Sequence, residues 1–166
     1  MVIAIVGATG LVGSEIIKVL EEKKIKKIKE VLFVATQKSV GKKIIYNKQT
    51  YKIITIKEAL QKKPDFALFS AGSKVSKKYA KEFSKKGTKV IDNSSAFRMD
   101  KKIKLIVPEI NSKNIKKTDK IIANPNCSTI QLVLALNPIH KKYKIKRIIV
   151  STYQAVVGTG HLALKQ

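Results

Sequence analysis

Apolar residues fall along this chain in two alternating rhythms. Short unbroken runs at 2–6, 31–35, 66–69, 89–91, 105–107, 121–123 and 147–151 read as strands. Between them, lysine-laced stretches bring apolar residues round at helical spacing: Leu11, Ile16, Val19 and Leu20 over 11–22, and Val75, Tyr79, Ala80 and Phe83 over 74–86. Strands that are apolar throughout must be covered on both faces. Their alternation with helices therefore predicts an α/β fold with a mostly parallel sheet, whose ligands bind at the carboxyl ends of the strands. Residues 42–54, centred on Asn47-Lys48-Gln49, break the rhythm and read as a hairpin excursion. No internal repeat or linker interrupts the pattern.

Composition sharpens this picture in two places. With 166 residues, 44% of them hydrophobic, the chain is long enough for one full core. The net charge of +24 suggests nucleic acid or an anionic membrane, but arginine occurs only at Arg98 and Arg147. The rest is lysine, spread over every predicted surface, and aromatic residues make up 6%; we read solvated faces, with no nucleic-acid and no membrane partner. One cysteine forms no internal disulfide, no Cys/His cluster has metal-ligand spacing, and Met1 leads straight into Val2-Ile3-Ala4-Ile5-Val6 without a basic leader. The expectation is a soluble cytoplasmic protein without a metal.

The first predicted strand ends in Gly7-Ala8-Thr9-Gly10-Leu11-Val12-Gly13 and passes at once into a helix. Glycines there let the backbone turn tightly and approach a pyrophosphate, while the helix N-terminus offers N–H groups and a positive dipole end. A bare strand-to-helix turn would look similar; its place after the first strand of a βαβ unit favours a Rossmann-like, doubly wound sheet with helices on both faces and a bound dinucleotide. The second strand ends in Ala35-Thr36-Gln37-Lys38-Ser39, with no carboxylate for a ribose 2′-hydroxyl. Hydroxyls and a cation suit a 2′-phosphate, so NADP is expected over NAD, with Lys38 also readable as one more surface lysine. Ser70-Ala71-Gly72-Ser73 follows the apolar run at 66–69, either as a close approach to the nucleotide or as a plain turn with Ser73 as helix cap.

Three polar clusters follow later strands: Asp92-Asn93-Ser94-Ser95-Ala96-Phe97-Arg98, Asn124-Pro125-Asn126-Cys127-Ser128-Thr129, and Ser151-Thr152-Tyr153-Gln154. All are expected at one edge of the sheet. Taken singly, Cys127 reads as a small buried hydrophobe as readily as a nucleophile. Its position where a Pro-containing turn enters an apolar helix is one that stabilises a thiolate. Arg98 is either an anion grip of fork geometry or a surface ion pair.

Together the glycine loop, the Asp92 cluster, Val107-Pro108-Glu109-Ile110-Asn111, the Asn124 cluster and Ser151-Thr152-Tyr153-Gln154-Ala155-Val156 resemble the aspartate-β-semialdehyde dehydrogenases over the whole chain. The resemblance implies reduction of β-aspartyl phosphate by NADPH to aspartate semialdehyde and phosphate, in the biosynthesis of lysine, threonine and methionine. It implies that Cys127 is the nucleophile that forms a thioester, that Gln154 orients the substrate and that Arg98 holds its phosphate, with Asn126 beside the thiol. It places Gly7, Thr9, Gly10, Leu11, Val12, Thr36, Lys38, Ser39, Ser70, Ala71 and Gly72 on the cofactor, and implies a homodimer for the intact enzyme.

The same resemblance marks two departures. Val157-Gly158-Thr159-Gly160 differs from the family's Ser-Gly-Ala-Gly turn, and neither His140 nor His161 matches its catalytic histidine. That histidine belongs to a second, catalytic and dimerisation domain, which leaves residues 1–152 as the NADP-binding domain and 153–166 as the start of the other. The expectation for this polypeptide alone is NADP binding with little turnover, the competing readings being a cofactor-binding remnant and a basic nucleic-acid-binding domain.

Overall fold

In the computed structural model, residues 1–154 are described; the departures at 157–160 and at His161, and all but the first two residues of the expected second domain, lie outside them. The expected parallel sheet is present. It runs in the order β2-β1-β5-β6-β8-β7, built from Val2–Val6 (β1), Glu30–Val34 (β2), Phe66–Phe69 (β5), Lys89–Asp92 (β6), Lys104–Leu105 (β7) and Ile121–Ala123 (β8). Every pairing in it is parallel, so all these carboxyl ends share one edge. The chain moves outward from β1 to β2, then returns to the other side of β1 as β5. The crevice where the direction reverses lies between β1 and β5, where ligands bind in such folds.

Side-chain alternation along each strand sorts the core into two layers. Ala4, Val6, Leu32, Val34, Ala67, Phe69 and Val90 face one way and pack against Ala59 and Leu60 of α2 (Ile56–Gln61) and Ala80 and Phe83 of α3 (Ser73–Lys85). Ile5, Val31 and Phe33 face the other way, against Ile17 and Leu20 of α1 (Leu11–Lys23) and Tyr46 of the hairpin. Over β5, β6 and β8 this second face is thinner: Leu68, Ile91 and Ile122, in register with the fully buried Ile5, are only half-buried.

Local chemistry explains the elements. The hairpin β3 (Lys43–Tyr46) and β4 (Gln49–Lys52) turns at Asn47 and Lys48, both at positive φ (48° and 63°), the left-handed pair that a two-residue hairpin needs. The helix α2 was not foreseen from its short periodicity, although Thr55-Ile56-Lys57-Glu58 is a readable capping box. There the Thr55 N–H and hydroxyl donate to the Glu58 carboxylate and hold its pKa below the ordinary range. In α1 the buried positions are Gly13, Ile17 and Leu20, whereas Val19, expected inside, is 47% exposed. Expected strand 105–107 is shorter: Val107 leads into α4 (Pro108–Asn111), clipped by Asn111, which accepts from the Val107 N–H at 2.8 Å and donates to the Leu105 carbonyl at 3.0 Å.

The expected strand at 147–151 is not formed. Ile148, Ile149 and Val150 are exposed and carry no strand pairing, because a strand's N–H and C=O groups need a neighbour and no described strand lies alongside. The preceding helix α5 (Cys127–Tyr143) likewise buries none of its residues, and an apolar groove of about 360 Å3 runs between it and residues 145–148.

Helix α1 leaves no room at its start. A Cβ on Gly13 would lie 2.1 Å from the Gly7 carbonyl oxygen. Alanine in an exposed helix interior ordinarily adds about 1 kcal/mol over glycine. Here the clash reverses the sign: Gly13→Ala is expected to lower the urea-unfolding free energy by about 1–3 kcal/mol.

Candidate functional site

Two groups of side chains meet the carboxyl edge, and each is set by the strand that precedes it. At β1 the chain reverses through Gly7, whose φ of 97° disfavours any other residue. The Gly7 and Ala8 N–H groups both donate to the Val34 carbonyl of β2, at 2.8 and 3.0 Å. On its other side Gly7 lies so near β5 that a Cβ would stand 2.7 Å from the Ser70 carbonyl carbon. Gly10 then caps α1 without a side chain, leaving the first helical N–H groups, those of Leu11 and Val12, free of an intrahelical or side-chain partner.

Beside this turn is a cleft of about 260 Å3 lined by Val6, Gly7, Thr9, Gly10, Ala35, Thr36, Ile56, Ser70, Ala71 and Val75. It gathers six of the predicted cofactor residues: Gly7, Thr9, Gly10, Thr36, Ser70 and Ala71. Leu11, Val12 and Gly72 flank it on the ends of α1 and α3 without lining it, and Lys38 and Ser39 stand on the single 3-10 turn Gln37–Ser39 that follows Thr36. Lys38 is exposed and, among the described residues, has no carboxylate partner. Sequence reasoning missed Val6 and Ala35, at the ends of the first two apolar runs, and also Ile56 and Val75. The latter two come from helix starts on the α2 and α3 side, and the Thr55 capping box was the available signal for Ile56.

The second group lies across the sheet. Asn124 closes β8 by donating its N–H to the Asp92 carbonyl at 2.8 Å, and its side-chain amide donates to Asn93 Oδ1 at 2.6 Å. Arg98 locks the same two loops together: Nε donates to the Asn124 carbonyl at 2.9 Å and Nη2 to the Asn93 carbonyl at 3.0 Å. The half-buried guanidinium thus spends two N–H groups on backbone oxygens and keeps the Nη1 amine and one Nη2 hydrogen. No carboxylate contacts it among the described residues, so the surface ion pair weighed for Arg98 is absent there.

Cys127 opens α5 and its side chain is exposed. Asn126 is the helix cap: its Oδ1 accepts from the Thr129 N–H at 3.1 Å and its amide donates to the Ser128 hydroxyl at 3.1 Å. The cap thereby holds the turn that presents the thiol. Gln154 Nε2 lies 3.9 Å from Cys127 Sγ although no strand carries it there. Among the described residues, no group of three or more His, Cys, Asp and Glu side chains is placed to hold a metal ion. No helix among them is long and apolar enough to cross a membrane.

A doubly wound sheet with a glycine turn and a cleft at its topological switch point defines a dinucleotide-binding domain. The chain belongs to the family described as semialdehyde dehydrogenase, NAD binding domain, whose family model matches residues 2–118. It is 50% identical to an aspartate-semialdehyde dehydrogenase of Aquifex aeolicus over 98% of its own length and 48% of that protein. The structure of aspartate semialdehyde dehydrogenase II complexed with ASA from Vibrio cholerae superposes with a TM-score of 0.92 at 41% identity, over 99% of this chain and 49% of that one. The aspartate semialdehyde dehydrogenase with NADP from Candida albicans matches with a TM-score of 0.75 at 25% identity, over 87% of this chain and 48% of that one. The chain spans about half the length of the relatives it matches.

Proposed function

We propose that these residues form the cofactor-binding and nucleophile-bearing half of an NADP-dependent aspartate-semialdehyde dehydrogenase. The observation that carries this reading is the shared edge: an exposed thiol at the start of α5, just after β8, lies at the same sheet edge as the cleft after β1 and β5, and the Arg98 guanidinium, which contacts no carboxylate among the described residues, is tied to the loop leading to it. The end of β8, from which the chain runs through 124–126 to Cys127, stands three strand spacings from β1, roughly 14 Å. A ligand held at the glycine turn therefore reaches the thiol only when extended along the edge, as a dinucleotide is.

On this reading Gly7, Thr9, Gly10, Ser70, Ala71 and Gly72 admit the backbone of the dinucleotide, and the free N–H groups of Leu11 and Val12 take its pyrophosphate. Thr36, Lys38 and Ser39 take the 2′-phosphate, in place of the carboxylate that would select NAD. NADPH supplies a hydride when bound. Cys127 attacks the acyl carbon of β-aspartyl phosphate, the carbon–oxygen bond to phosphate breaks, and a thioester remains on the sulfur. The departing phosphate is held by the remaining N–H groups of Arg98, while Asn126 holds the turn and Gln154 orients the acyl group. When the aldehyde leaves, the thiolate is restored.

The reading places the NADP-binding domain at residues 1–152 and the start of a second domain at 153–166. The second half of the relatives is where the resemblance puts the histidine acid/base and the dimer interface. Unburied α5, the apolar groove beside it and the unpaired run at 147–151 are the surfaces that such a half would cover. The cytoplasm, and the supply of lysine, threonine and methionine, complete the proposal.

A cofactor titration and an activity assay test it. In NADPH and NADH titrations followed by nicotinamide fluorescence, NADPH is expected to bind more tightly, and Lys38→Glu to weaken NADPH selectively; equal losses would remove Lys38 from the 2′-phosphate site. Phosphate-dependent oxidation of aspartate semialdehyde should be weak with the 166-residue polypeptide alone and rise when the second half of a relative is added. Cys127→Ser should bind NADPH normally and show no activity in that mixture, and retained turnover would refute the nucleophile.

A further inference from the structure

The residue Asp92 has no part in the reading above, yet it is the most unusual side chain of the core. It is fully buried in a row that runs Val6, Phe69, Asp92 and Ala123 across four strands. A carboxylate in such a place is costly unless hydrogen-bonded, and no lysine or arginine of this basic chain pairs with it among the described residues. Its donors are instead two hydroxyls and one amide. Oδ1 accepts from the Ser76 hydroxyl of α3 at 2.6 Å and from the Ser94 N–H at 3.2 Å, and Oδ2 accepts from the Ser94 hydroxyl at 2.8 Å. Ser94 passes the constraint on, its oxygen accepting from the Ala96 N–H at 3.1 Å. Two residues further on is Arg98, behind the buried Phe97.

We propose that Asp92, gripped by Ser76 and Ser94, is a positioning residue that holds the turn from Asn93 to Arg98 so that the guanidinium presents its spare N–H groups to an anionic oxygen cluster. An apolar residue would fill the same core position. It would leave Ser94 without its side-chain acceptor and the turn tied to the sheet only through Asn93 and Asn124, whose carbonyls Arg98 itself uses. The carboxylate, able to accept from several donors at once, fixes the turn from behind. This inference rests on Arg98 as the anion site.

The presence of only two arginines makes the test direct, because the side-chain Nε–H region of an 15N-labelled spectrum then holds two signals, and Arg98→Lys assigns them. Inorganic phosphate is titrated against the wild-type chain, Arg98→Lys, Arg98→Ala, Ser94→Ala, Ser94→Thr and Ser76→Ala, with thermal unfolding of each recorded. Ser94→Ala and Ser76→Ala should remain folded at the titration temperature, lose the exchange protection of the Arg98 Nε–H, and bind phosphate about tenfold more weakly, the scale of one lost hydrogen bond to a charged group. Ser94→Thr, which keeps the hydroxyl, should restore both. If Arg98→Ala abolishes phosphate binding while Ser94→Ala and Ser76→Ala bind as wild type with the Nε–H still protected, the positioning role is overturned and the anion site stands. If Arg98→Ala binds phosphate as wild type, the anion site falls and this proposal with it. Should one serine variant not fold, the other is read by the same criteria.

Discussion

The turn at Gly7 is the contact on which the rest depends. There β1, β2, β5 and α1 come together with nothing but backbone between them: Gly7 and Ala8 donate to Val34, and the open side of Gly7 lies against Ser70. Gly13 of α1 stacks on its carbonyl from above. A side chain at Gly7 or at Gly13 would push β5 or α1 away, and the cleft between β1 and β5 exists because neither carries one. The same economy leaves Gly10 unable to cap α1 with a side chain, so the helix start faces the cleft with its N–H groups unspent.

At the far side of the sheet the logic is opposite. The loops after β6 and β8 carry dense polar side chains, and these bond to one another before they meet any ligand. Asn124, Asn93 and Arg98 weld the two loops, Asp92 anchors one of them to α3, and Asn126 caps the helix that presents Cys127. Groups held this way are pre-organised, which is what a site acting on a developing charge requires. The family relationship and the similarity to aspartate-semialdehyde dehydrogenases fit this division into a nucleotide side and a thiol side.

Much of this was legible in the residues because the signals are local. Unbroken apolar runs announced the strands, glycines at the first strand-to-helix turn announced the cleft, and Asn47-Lys48 supplied the hairpin turn. Pairings made by distant residues were not legible. Nothing in the sequence says that Asp92 accepts from Ser76, or that Arg98 spends two of its N–H donors on the carbonyls of Asn93 and Asn124. The run 147–151 misled because its apolar pattern is that of a strand, while strand formation needs a neighbour that the described residues do not provide. Family resemblance alone gives Gln154 a role in orienting the substrate, and its approach to within 3.9 Å of the Cys127 sulfur is a tertiary fact that no periodicity carries.

On the proposed function, a cofactor held at the glycine turn reaches the thiol across the sheet edge. Alkylation of Cys127, the only cysteine, by iodoacetamide reads this directly when followed by mass spectrometry with and without saturating NADPH. NADPH is expected to slow the reaction markedly, and 2′-phosphoadenosine 5′-diphosphoribose, which lacks the nicotinamide, to slow it much less. An alkylation rate unchanged by bound NADPH would contradict the proposed reach.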